Sequence, residues 1–397
     1  MVRRDEKLAI CTLIANYDST GGLQNQAKLL INELTAKGTT VFVLTRNQEK
    51  LKRNEKRGNI FISRFPTIGS LRVVNSIIYI FCSLCWLLLN HKKYQIIHCH
   101  QSYSPATIGV LVKLVLKKPV VVKISGSNEY GEVTEIKKLP FQKVRIFLLK
   151  KVDRFIILNE GMRKELNSIH ILDENINLIP NGVKIPEESS FDNNVKRHYR
   201  KKLKLPYENI IAYSGRLTEG KGLEMLIEVW SEVIKANSGV HLILLGEGGR
   251  FRSIEEKLKD RTKSLDLSDI IHFFGYVPNV NEYLMASDIF ILPSISEGMS
   301  NALLEAMASG VSIISTKIPA NISLITNGVN GILVERENIS QLKDAVITLL
   351  NNPSLRETFG REAKKTVSNL CSIEYVAKRY REIYSGLIFP SVVLNAD

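Results

Sequence analysis

The stretch NIIAYSGRLTEGKGLEMLIEVW, residues 209–230, contains the local pattern that decides the fold. An apolar run is followed by a glycine-rich loop. The loop leads into a segment whose apolar residues recur every three to four positions. A strand, a short loop and a helix in this order form part of a βαβ unit, and such units build parallel sheets. The loop stands at the carboxyl end of its strand, where ligands of such sheets bind.

The same alternation of strand and helix runs through both halves of the chain. Unbroken apolar runs such as LAICTLIA (8–15) and IFILPS (289–294) predict strands that are buried on both faces. The polar stretch EESSFDNNVKRHYRKK (187–202) separates the two halves. We therefore predict an α/β fold with two Rossmann-like, doubly wound domains that face a central cleft. The predicted domains are residues 1–190 and 191–370, followed by a C-terminal crossover helix and tail, 371–397.

The charge is concentrated in the first half of the 397-residue chain, whose net charge is +14. Residues 1–190 carry 29 Lys and Arg against 16 Asp and Glu, whereas residues 191–397 carry 25 against 24. This distribution predicts an anionic partner, such as membrane headgroups, a phosphorylated acceptor or nucleic acid, unless the charge only keeps the protein soluble. Because no motif of an RNA- or DNA-binding module is present, we expect no nucleic-acid partner.

Signals for export, membrane crossing and metal binding are weak. The run 8–15 is short for a signal peptide and is interpreted as the first strand. The most hydrophobic run, 73–89, falls short of the ~20 apolar residues of a spanning helix, which predicts a buried or membrane-surface helix. Cys82 and Cys85 lie in that run without a second ligand pair, so we expect no metal site. We expect a cytoplasmic protein.

The loop GRLTEGKG, residues 215–222, matches a P-loop except at its last position. A P-loop ends in a Ser or Thr that binds Mg²⁺, and Gly222 stands there instead. No predicted strand ends in an aspartate that would supply a second Mg²⁺ ligand. Arg216 and Lys221 can together neutralise a diphosphate without a metal, at the N-terminus of the following helix. We predict a metal-independent phosphate site, the alternative being a charged turn.

The segment SEGMSNALLEAMASG, residues 296–310, also follows a predicted strand and opens a helix. Glu297 precedes the helix and Glu305 lies within it. Eight residues of helix span ~12 Å, whereas the two carboxyls of a glycosidase lie ~5–10 Å apart. We therefore expect the two glutamates to contact different parts of one extended ligand. Ser300 or Asn301 can cap the helix. The backbone N–H groups of Met299, Ser300 and Asn301 at its start are then placed to hold an anion.

With these motifs the chain resembles the retaining glycosyltransferases of family 4, which have the GT-B fold. Glu297 and Glu305 match the family's E-x₇-E motif, whose first Glu contacts the hexose of a nucleotide-sugar donor and whose second contacts the ribose. Arg216 and Lys221 match the residues that bind the donor diphosphate. The resemblance covers the whole chain, and it also implies that the C-terminal helix packs back toward the first domain.

Two further stretches are similar to family landmarks. TGGLQNQA, residues 20–27, matches the glycine-rich first loop, and residues 275–277 match the stretch beside the nucleotide base. The donor-binding residues that the resemblance implies are Gly21, Gly22, Arg216, Lys221, Val277, Glu297, Met299, Ser300, Asn301 and Glu305.

Two positions depart from the family pattern. Many members carry a His after the strand that here reads VVVKISGS, where this chain has Ser125 or Gly126. Lys184 stands where Asp is frequent. We predict that His100, at the end of IIHCH, takes the place of the missing His, although a His at a strand end is equally compatible with a structural role. The predicted catalytic residues are Glu297, Arg216, Lys221 and His100.

The resemblance implies transfer of a hexose from a nucleoside diphosphate sugar to a glycan or lipid-linked acceptor. It implies retention through attack on the face that the phosphate leaves, no cofactor and no metal, and a role in bacterial surface polysaccharide assembly. The alternatives are a sucrose- or trehalose-type synthase with the same site, or a catalytically silent scaffold subunit. The intact Glu297, Glu305, Arg216 and Lys221 argue against a silent scaffold.

The segment KKLPFQKVRIFLLKKVDR, residues 137–154, carries seven basic residues and one acidic residue among apolar ones. This pattern favours a helix on an anionic membrane surface over a helix packed in the domain with a solvated basic face. We therefore expect the protein to be peripheral on the inner face of the plasma membrane. The predicted membrane-surface residues are Lys137, Lys138, Lys143, Arg145, Lys150 and Lys151.

Overall fold

A computed structural model describes residues 8–126, 131–249 and 252–389, so the predicted tail beyond residue 389 lies outside the described residues. The chain divides into two compact units. One contains residues up to Gly182 together with those from Ile373 onward, and the other is Val183–Ser372. Each unit has its own sheet, which confirms the prediction of two Rossmann-like α/β folds.

The sheet of the first unit has eight strands: β1 (Ala9–Leu13), β2 (Thr40–Arg46), β3 (Asn54–Arg57), β4 (Ile60–Phe65), β5 (Ile96–His100), β6 (Val120–Lys123), β7 (Arg154–Ile157) and β8 (Ile176–Leu178). Their order is β3-β4-β2-β1-β5-β6-β7-β8. All neighbouring strands are parallel except β3, which is antiparallel to β4. The central strands are covered on both faces, which explains their unbroken apolar sequences.

The described part of residues 8–182 contains the helices α1 (Gly22–Ala36), α2 (Arg72–Leu89), α3 (Ser104–Leu116), α4 (Glu132–Lys138), α5 (Gln142–Leu149) and α6 (Glu160–Asn167). Helix α2 packs on β2 and β4, and α3 packs on β5 and β6. Helix α3 also contacts α2 and α5, so α2, α3 and α5 lie side by side.

The prediction of a single helix over residues 137–154 is wrong, because this segment contains the end of α4, a break and then α5. Pro140 has no backbone N–H to continue a helix. Phe141 has a φ of +59°, in the left-handed region, and precedes the first residue of α5. The basic residues of the segment are therefore distributed over two short helices.

The second unit has six strands: β9 (Asn209–Ser214), β10 (Val240–Leu245), β11 (Ile271–Gly275), β12 (Ile289–Leu292), β13 (Ser312–Thr316) and β14 (Ile332–Val334). They are parallel and follow the order β11-β10-β9-β12-β13-β14. The chain thus starts in the middle of the sheet, builds toward β11, and then crosses back to β12. The crevice for ligands in such a sheet lies where the direction reverses, between β9 and β12.

The described residues of this unit form eight helices: α7 (Asn193–Leu203), α8 (Leu223–Ala236), α9 (Glu255–Ser264), α10 (Val280–Ala286), α11 (Asn301–Ser309), α12 (Pro319–Ile322), α13 (Ile339–Asn351) and α14 (Pro353–Cys371). A buried ion-pair group ties α7 to the sheet. Asp288, just before β12, lies 2.7 Å from Lys196 Nζ and 2.6 Å from Arg200 Nη2. Although burial alone raises the pKa of Asp288, these two cations hold it below its ordinary value.

The last helix, α15 (Ile373–Ile388), belongs to the first unit, as predicted. It packs beside α1 on one face of the eight-stranded sheet, where Val376, Tyr380 and Tyr384 join the core with Ile10 and Leu30. The alternate strand residues point to the other face, where the ring of Phe42 lies 5.6 Å from that of Trp86 in α2. Helices α2, α3 and α5 therefore cover the face opposite α1 and α15.

Among the residues that the structure describes, no helix combines the length and the apolar character needed to cross a bilayer. The same described ranges contain no cluster of three His, Cys, Asp or Glu side chains arranged to hold a metal ion.

Candidate active site

The loops that follow β9 and β12 meet at the carboxyl edge of the second unit's sheet, because these strands are neighbours. Lys221 Nζ, in the first loop, lies 2.6 Å from Glu297 Oε1 in the second. Ser294 Oγ donates to the same carboxylate oxygen at 2.8 Å. The backbone N–H of Ile295 donates to the carbonyl of Gly220 at 2.9 Å. The structure therefore brings two predicted donor residues together at the reversal of strand order.

Gly222 shows why this loop is not a P-loop. Its φ is +69°, in the left-handed region that favours glycine. A Cβ atom at this position would lie 2.1 Å from the carbonyl oxygen of Pro293, in the neighbouring loop. A Ser or Thr at residue 222 would therefore collide with the loop that carries Glu297. The glycine is required by the close approach of the two loops, and no P-loop hydroxyl fits there.

Arg216 lies at the start of the same loop and has an exposed side chain. Its backbone is fixed from two sides. Tyr213 Oη donates to the Arg216 carbonyl at 3.0 Å, and the N–H of Leu217 donates to the carbonyl of Glu247 at 2.9 Å. A rigid backbone thus presents a solvated guanidinium, which can bind an incoming anion without first breaking a buried contact.

Helix α11 begins where the sequence predicted, and Ser300 is its cap. The N–H of Leu303 donates to Ser300 Oγ at 3.3 Å. Met299 and Ser300 are buried, and Asn301 is half-buried. The N-terminus of a helix carries a partial positive charge, so this end of α11 adds to the cationic character that Arg216 gives the site.

Glu305 lies in the second turn of α11 and is half-buried. Burial disfavours its charged form and raises the pKa of Glu305 to about 7. This carboxyl therefore changes charge near neutral pH. When ionised, it can accept hydrogen bonds from a pair of ligand hydroxyls.

Val277 lies in the loop after β11 and is half-buried. That loop is tied to the one after β10. The N–H of Gly246 donates to the carbonyl of Gly275 at 2.7 Å, and the N–H of Tyr276 donates to Glu247 Oε1 at 3.3 Å. Val277 therefore shares the carboxyl edge of the sheet with Arg216, Lys221 and Glu297, two strands away from β9.

The other predicted residues lie in the first unit. Gly22 is the first residue of α1, Gly21 precedes it in the loop after β1, and the backbone of Gly22 is exposed. His100 is the last residue of β5 and is only 1% exposed. The structure thus places the glycines and the histidine at the carboxyl edge of the first sheet.

His100 belongs to a buried pair of histidines. Its ring centroid lies 4.4 Å from that of His98, and Tyr384 Oη lies 2.9 Å from His98 Nδ1. Neither ring nitrogen of His100 has a hydrogen-bond partner among the described residues. Burial, His98 and Lys123 lower the pKa of His100 well below its usual range, so the ring is neutral at physiological pH.

Sequence reasoning missed buried polar groups at the carboxyl ends of β5 and β6. Glu132 is 2% exposed and accepts four hydrogen bonds: from the N–H and Oγ of Ser102, after β5, and from the N–H and Oγ of Ser125, after β6. Lys123 is also buried and donates to Asn181 Oδ1 at 2.7 Å, and burial lowers its pKa to about 8. The sequence feature that could have indicated these groups is Glu132 itself, an acidic residue seven positions after Ser125.

The predicted membrane-surface residues lie on and after α4 and α5. Lys137 and Lys138 are in the last turn of α4, and the Lys137 ammonium donates to Ser168 Oγ at 2.9 Å. Most of the set is exposed, whereas Arg145 is half-buried. Lys143 and Arg145 lie within α5, and Lys150 and Lys151 follow it directly. Because α5 contacts α3, these four residues lie on the same side of the first unit as α3.

Two family models match the chain. The model for Glycosyltransferase Family 4 matches residues 20–185, and the model for Glycosyl transferases group 1 matches residues 195–366. The first match falls almost wholly in the first unit and the second lies within the second unit. The chain belongs to the family 4 glycosyltransferases of the GT-B type. It is therefore a transferase enzyme.

Relatives of this glycosyltransferase act in polysaccharide and lipid-linked chemistry. The chain is 24% identical to the capsular polysaccharide biosynthesis glycosyltransferase CapM of Staphylococcus aureus, over 76% of this chain and 80% of CapM. It is also 24% identical to the UDP-Gal:alpha-D-GlcNAc-diphosphoundecaprenol alpha-1,3-galactosyltransferase of Escherichia coli, over 76% of this chain and 78% of that enzyme.

Solved structures show the same fold. Sucrose-phosphate synthase from Thermosynechococcus elongatus superimposes with a TM-score of 0.79 at 18% identity, covering 97% of this chain and 100% of the synthase chain. HepE from Anabaena, in complex with UDP and glucose, gives a TM-score of 0.76 at 17% identity and covers 96% of this chain and 100% of its own. At these identities the structures support the fold assignment alone.

Proposed function

We propose that this glycosyltransferase moves a hexose, with retention of anomeric configuration, from a nucleoside diphosphate sugar to a glycan or lipid-linked acceptor in bacterial surface polysaccharide assembly. The observation that carries the donor half of the proposal is the bond between Lys221 and Glu297 at the reversal of strand order. The names of the two relatives, one capsular and one acting on a diphosphoundecaprenol-linked sugar, support the acceptor half.

The proposed catalysis is mainly electrostatic. Cleavage of the bond between the sugar and the diphosphate places growing negative charge on the leaving phosphate. Arg216 is exposed and ready to bind that charge. The ammonium of Lys221 has three N–H donors, so it can keep its bond to Glu297 and still donate to a phosphate oxygen. The start of α11 adds a positive helix end. Fixed positive groups aimed at developing charge are usually the largest catalytic contribution, and here they would take the role of a metal ion.

The two glutamates divide the rest of the donor in this proposal. Glu297 is held by Lys221 and Ser294 at the loop and would bind the hexose. Glu305 lies in the second turn of α11, with a pKa of about 7, and would bind the ribose hydroxyls in its ionised form. The half-buried Val277 would contact the base. This arrangement uses the full length of an extended donor.

We propose that the acceptor binds to the first unit and attacks on the face that the phosphate leaves, with a departing phosphate oxygen taking the proton. His100 is buried and neutral, so we propose that it positions the acceptor loops after β5 and β6 together with Glu132. Glu132 holds both of those loops through four hydrogen bonds.

We also propose peripheral membrane contact through the basic residues of α4 and α5, since a lipid-linked acceptor is held at a membrane surface. Exposed Lys138, Lys143 and Lys150 support this contact, because cations near an anionic bilayer gain about 1 kcal/mol each.

The experiment that tests the function is donor hydrolysis followed by proton NMR, with a panel of UDP-, GDP- and ADP-sugars in EDTA. We expect slow hydrolysis of one donor, with the first-formed sugar having the anomeric configuration of the donor. An inverted first product would contradict retention, and activity that appears only after Mg²⁺ is added would contradict metal independence. Failure of every donor would contradict the proposed transfer.

A further inference from the structure

Helices α2, α3 and α5 expose apolar side chains on the face of the first unit opposite α1 and α15. On α2, residues spaced by four positions form a row: Val73 is 73% exposed, Ile77 60% and Phe81 67%. Such spacing places the three side chains on one side of the helix. The opposite side of α2 is buried, since Tyr79 is 1% exposed. Helix α2 is therefore anchored in the unit and still presents an apolar row to its surroundings.

The same character continues onto the neighbouring helices. In α3, Val115 is 69% exposed, and on α5 Phe147 is 57% exposed. Of the 24 large apolar side chains that are exposed in the described chain, 14 lie in or beside these three helices. They are Ile68, Leu71, Val73, Val74, Ile77, Phe81, Leu88, Leu89, Leu111, Leu114, Val115, Phe141, Val144 and Phe147. We call this set the apolar face. A concentration of exposed apolar side chains on neighbouring helices is typical of a protein or membrane contact.

The charges around the apolar face favour an anionic bilayer as its occupant. The three segments 71–93, 104–118 and 136–152 contain twelve Lys and Arg and no Asp or Glu. Glu135 and Asp153 flank the third segment, so the border is predominantly basic and matches an anionic surface better than a protein surface of mixed charge. A bilayer with anionic headgroups matches both the apolar rows and the cations, as membrane-surface helices do.

A cavity of about 310 Å³ opens beside the apolar face, at the C-terminal ends of α3 and α5. Its wall includes Leu114, which belongs to the apolar face. The Lys151 ammonium, also in the wall, lies 5.3 Å from the ring centroid of Phe147, another member of that face. The cations that line the cavity are Lys113, Lys117, Lys150, Lys151 and Arg154.

The positive charge of this cavity is not balanced by its wall. Asp153 is the acidic residue of the wall, and both of its oxygens are used: one lies 2.6 Å from Lys113 Nζ and the other accepts from the N–H of Val120 at 2.8 Å. Lys117 and Lys150 have no carboxylate partner among the described residues. Both are the C-cap residues of a helix, where the helix dipole favours a cation.

We infer that the apolar face enters an anionic bilayer and that the cavity between the ends of α3 and α5 binds the phosphate of one anionic phospholipid. The inference rests on the proposed membrane contact and gives it a specific ligand. Lys117 and Lys150 bind the phosphate oxygens, and Leu114 lies beside the first carbons of the lipid. The cavity has room for a phosphate group with its attached glycerol, and the apolar side chains surround the point where the acyl chains enter the bilayer.

The apolar face is tested by flotation with vesicles of phosphatidylglycerol and phosphatidylcholine. We expect the double variant Ile77→Ser/Phe81→Ser to bind at least tenfold more weakly than the unaltered chain. The matched control is Ile322→Ser/Val329→Ser, which removes two apolar side chains of 50% and 51% exposure from the second unit. Equal binding by both variants would overturn the docking role of the apolar face.

The cavity is tested with monomeric dihexanoyl phosphatidylglycerol, titrated below the concentration at which it forms micelles and followed by calorimetry. We expect saturable binding that the variant Lys117→Gln/Lys150→Gln loses by at least tenfold. The variant Lys92→Gln/Lys93→Gln removes the same charge next to α2, away from the cavity, and should keep that binding. No saturable binding, or equal loss in both variants, would overturn the cavity site.

Inorganic phosphate serves as the second ligand in this titration. Phosphate that binds as tightly as the short-chain lipid would overturn the assignment to a phospholipid, since the apolar wall would then contribute nothing. None of these binding assays uses a sugar donor. Donor hydrolysis by the unaltered chain is measured separately, so a failure of the proposed transfer and a failure of the lipid site give different results.

Discussion

The two sheets hold their charged groups at their carboxyl edges in different ways. In the first unit, Glu132 and Lys123 are 2% and 4% exposed, and protein groups satisfy their hydrogen bonds. In the second unit, the side chains of Lys221 and Glu297 are 19% and 12% exposed, and Arg216 is exposed to solvent. One edge is closed around its charges, whereas the other presents them.

This difference teaches which edge is prepared for a charged ligand. Buried and fully bonded groups such as Glu132 fix the conformation of loops. If their partners were replaced, the buried charge would be left without hydrogen bonds and the fold would be strongly destabilised. A partly exposed pair such as Lys221 and Glu297 can add a ligand to its contacts at a much smaller cost. In the proposed function we therefore expect the diphosphate at the edge of the second unit's sheet, and rigid loops in the first unit.

The largest expected effect comes from a charge whose role is purely structural. Asp288→Asn leaves Lys196 and Arg200 without their carboxylate, so we expect the free energy of unfolding of the second unit to fall by about 3–5 kcal/mol. The control Lys202→Ala breaks an exposed pair with Glu282 and should cost less than about 1 kcal/mol. Urea denaturation measures both. If both variants lost similarly little free energy of unfolding, the buried ion pair would not have the structural role assigned to it.

The pH dependence of that ion pair has a definite sign. The pKa of Asp288 is depressed in the folded state, so the pair contributes stability above the unfolded value of about 3.9. This contribution is lost as the pH falls through the lower folded pKa. Asp288→Asn should therefore lose its disadvantage relative to the unaltered chain in strongly acidic urea titrations.

The second effect concerns the exposed charge. Arg216→Ala should lower kcat by about 10²–10³, because it removes one fixed donor to the leaving diphosphate. The melting temperature should stay unchanged, since the side chain is exposed. Arg336→Ala is the matched control, an exposed arginine in the loop after β14 at the same edge of the sheet. Near-normal turnover of Arg216→Ala would contradict its role at the diphosphate.

The third effect is a loss of stability in the first unit. Glu132→Ala removes the acceptor of four hydrogen bonds and should lower the free energy of unfolding by about 2–3 kcal/mol. Glu135→Ala, on the same helix, removes an exposed ion pair with Lys138 and should change it by less than about 0.5 kcal/mol. Hydrogen exchange of the N–H groups of Ser102 and Ser125 should rise in the first variant alone. Unchanged exchange would mean that Glu132 does not hold these loops.

The smallest effect is on the pH dependence of donor binding. With a pKa of about 7, Glu305 is mostly ionised at pH 8 and mostly protonated at pH 6. If the ionised form binds the ribose, the dissociation constant of the donor should rise about tenfold between pH 8 and pH 6. Glu305→Gln should bind more weakly at pH 8 and show a flat profile. A profile that is unchanged in this variant would remove Glu305 from the donor site.

The fold, and the meeting of the loops after β9 and β12, were predictable because they depend on local patterns. The run from β9 through Gly222 into α8 shows strand, turn and helix within one window, and Ser300 caps α11 at the predicted place. Positions at the carboxyl ends of parallel strands come together in any such sheet. The position of Arg216, Lys221 and Glu297 at one edge of the sheet can therefore be predicted without knowledge of side-chain packing.

What the sequence could not predict depends on contacts between distant residues. Lys221 and Glu297 are 76 positions apart in the sequence, and they meet because β9 and β12 are neighbours in the sheet. Tyr384, in the last helix, contacts His98, whose ring packs against that of His100 and is 286 positions away from Tyr384 in the sequence. The break at Phe141 is a local feature. It was missed because the alternation of basic and apolar residues over 137–154 was interpreted as one helix.

The most direct test of the central claim is a calorimetric titration of the purified chain with UDP, GDP and ADP in EDTA, repeated with Lys221→Ala. We expect one of these nucleotides to bind without metal, and Lys221→Ala to weaken that binding at least tenfold. Lys257→Ala removes an exposed lysine of α9 and should bind normally. Absence of binding to all three nucleotides, with ATP and Mg²⁺ binding instead, would contradict a metal-independent diphosphate site between β9 and β12.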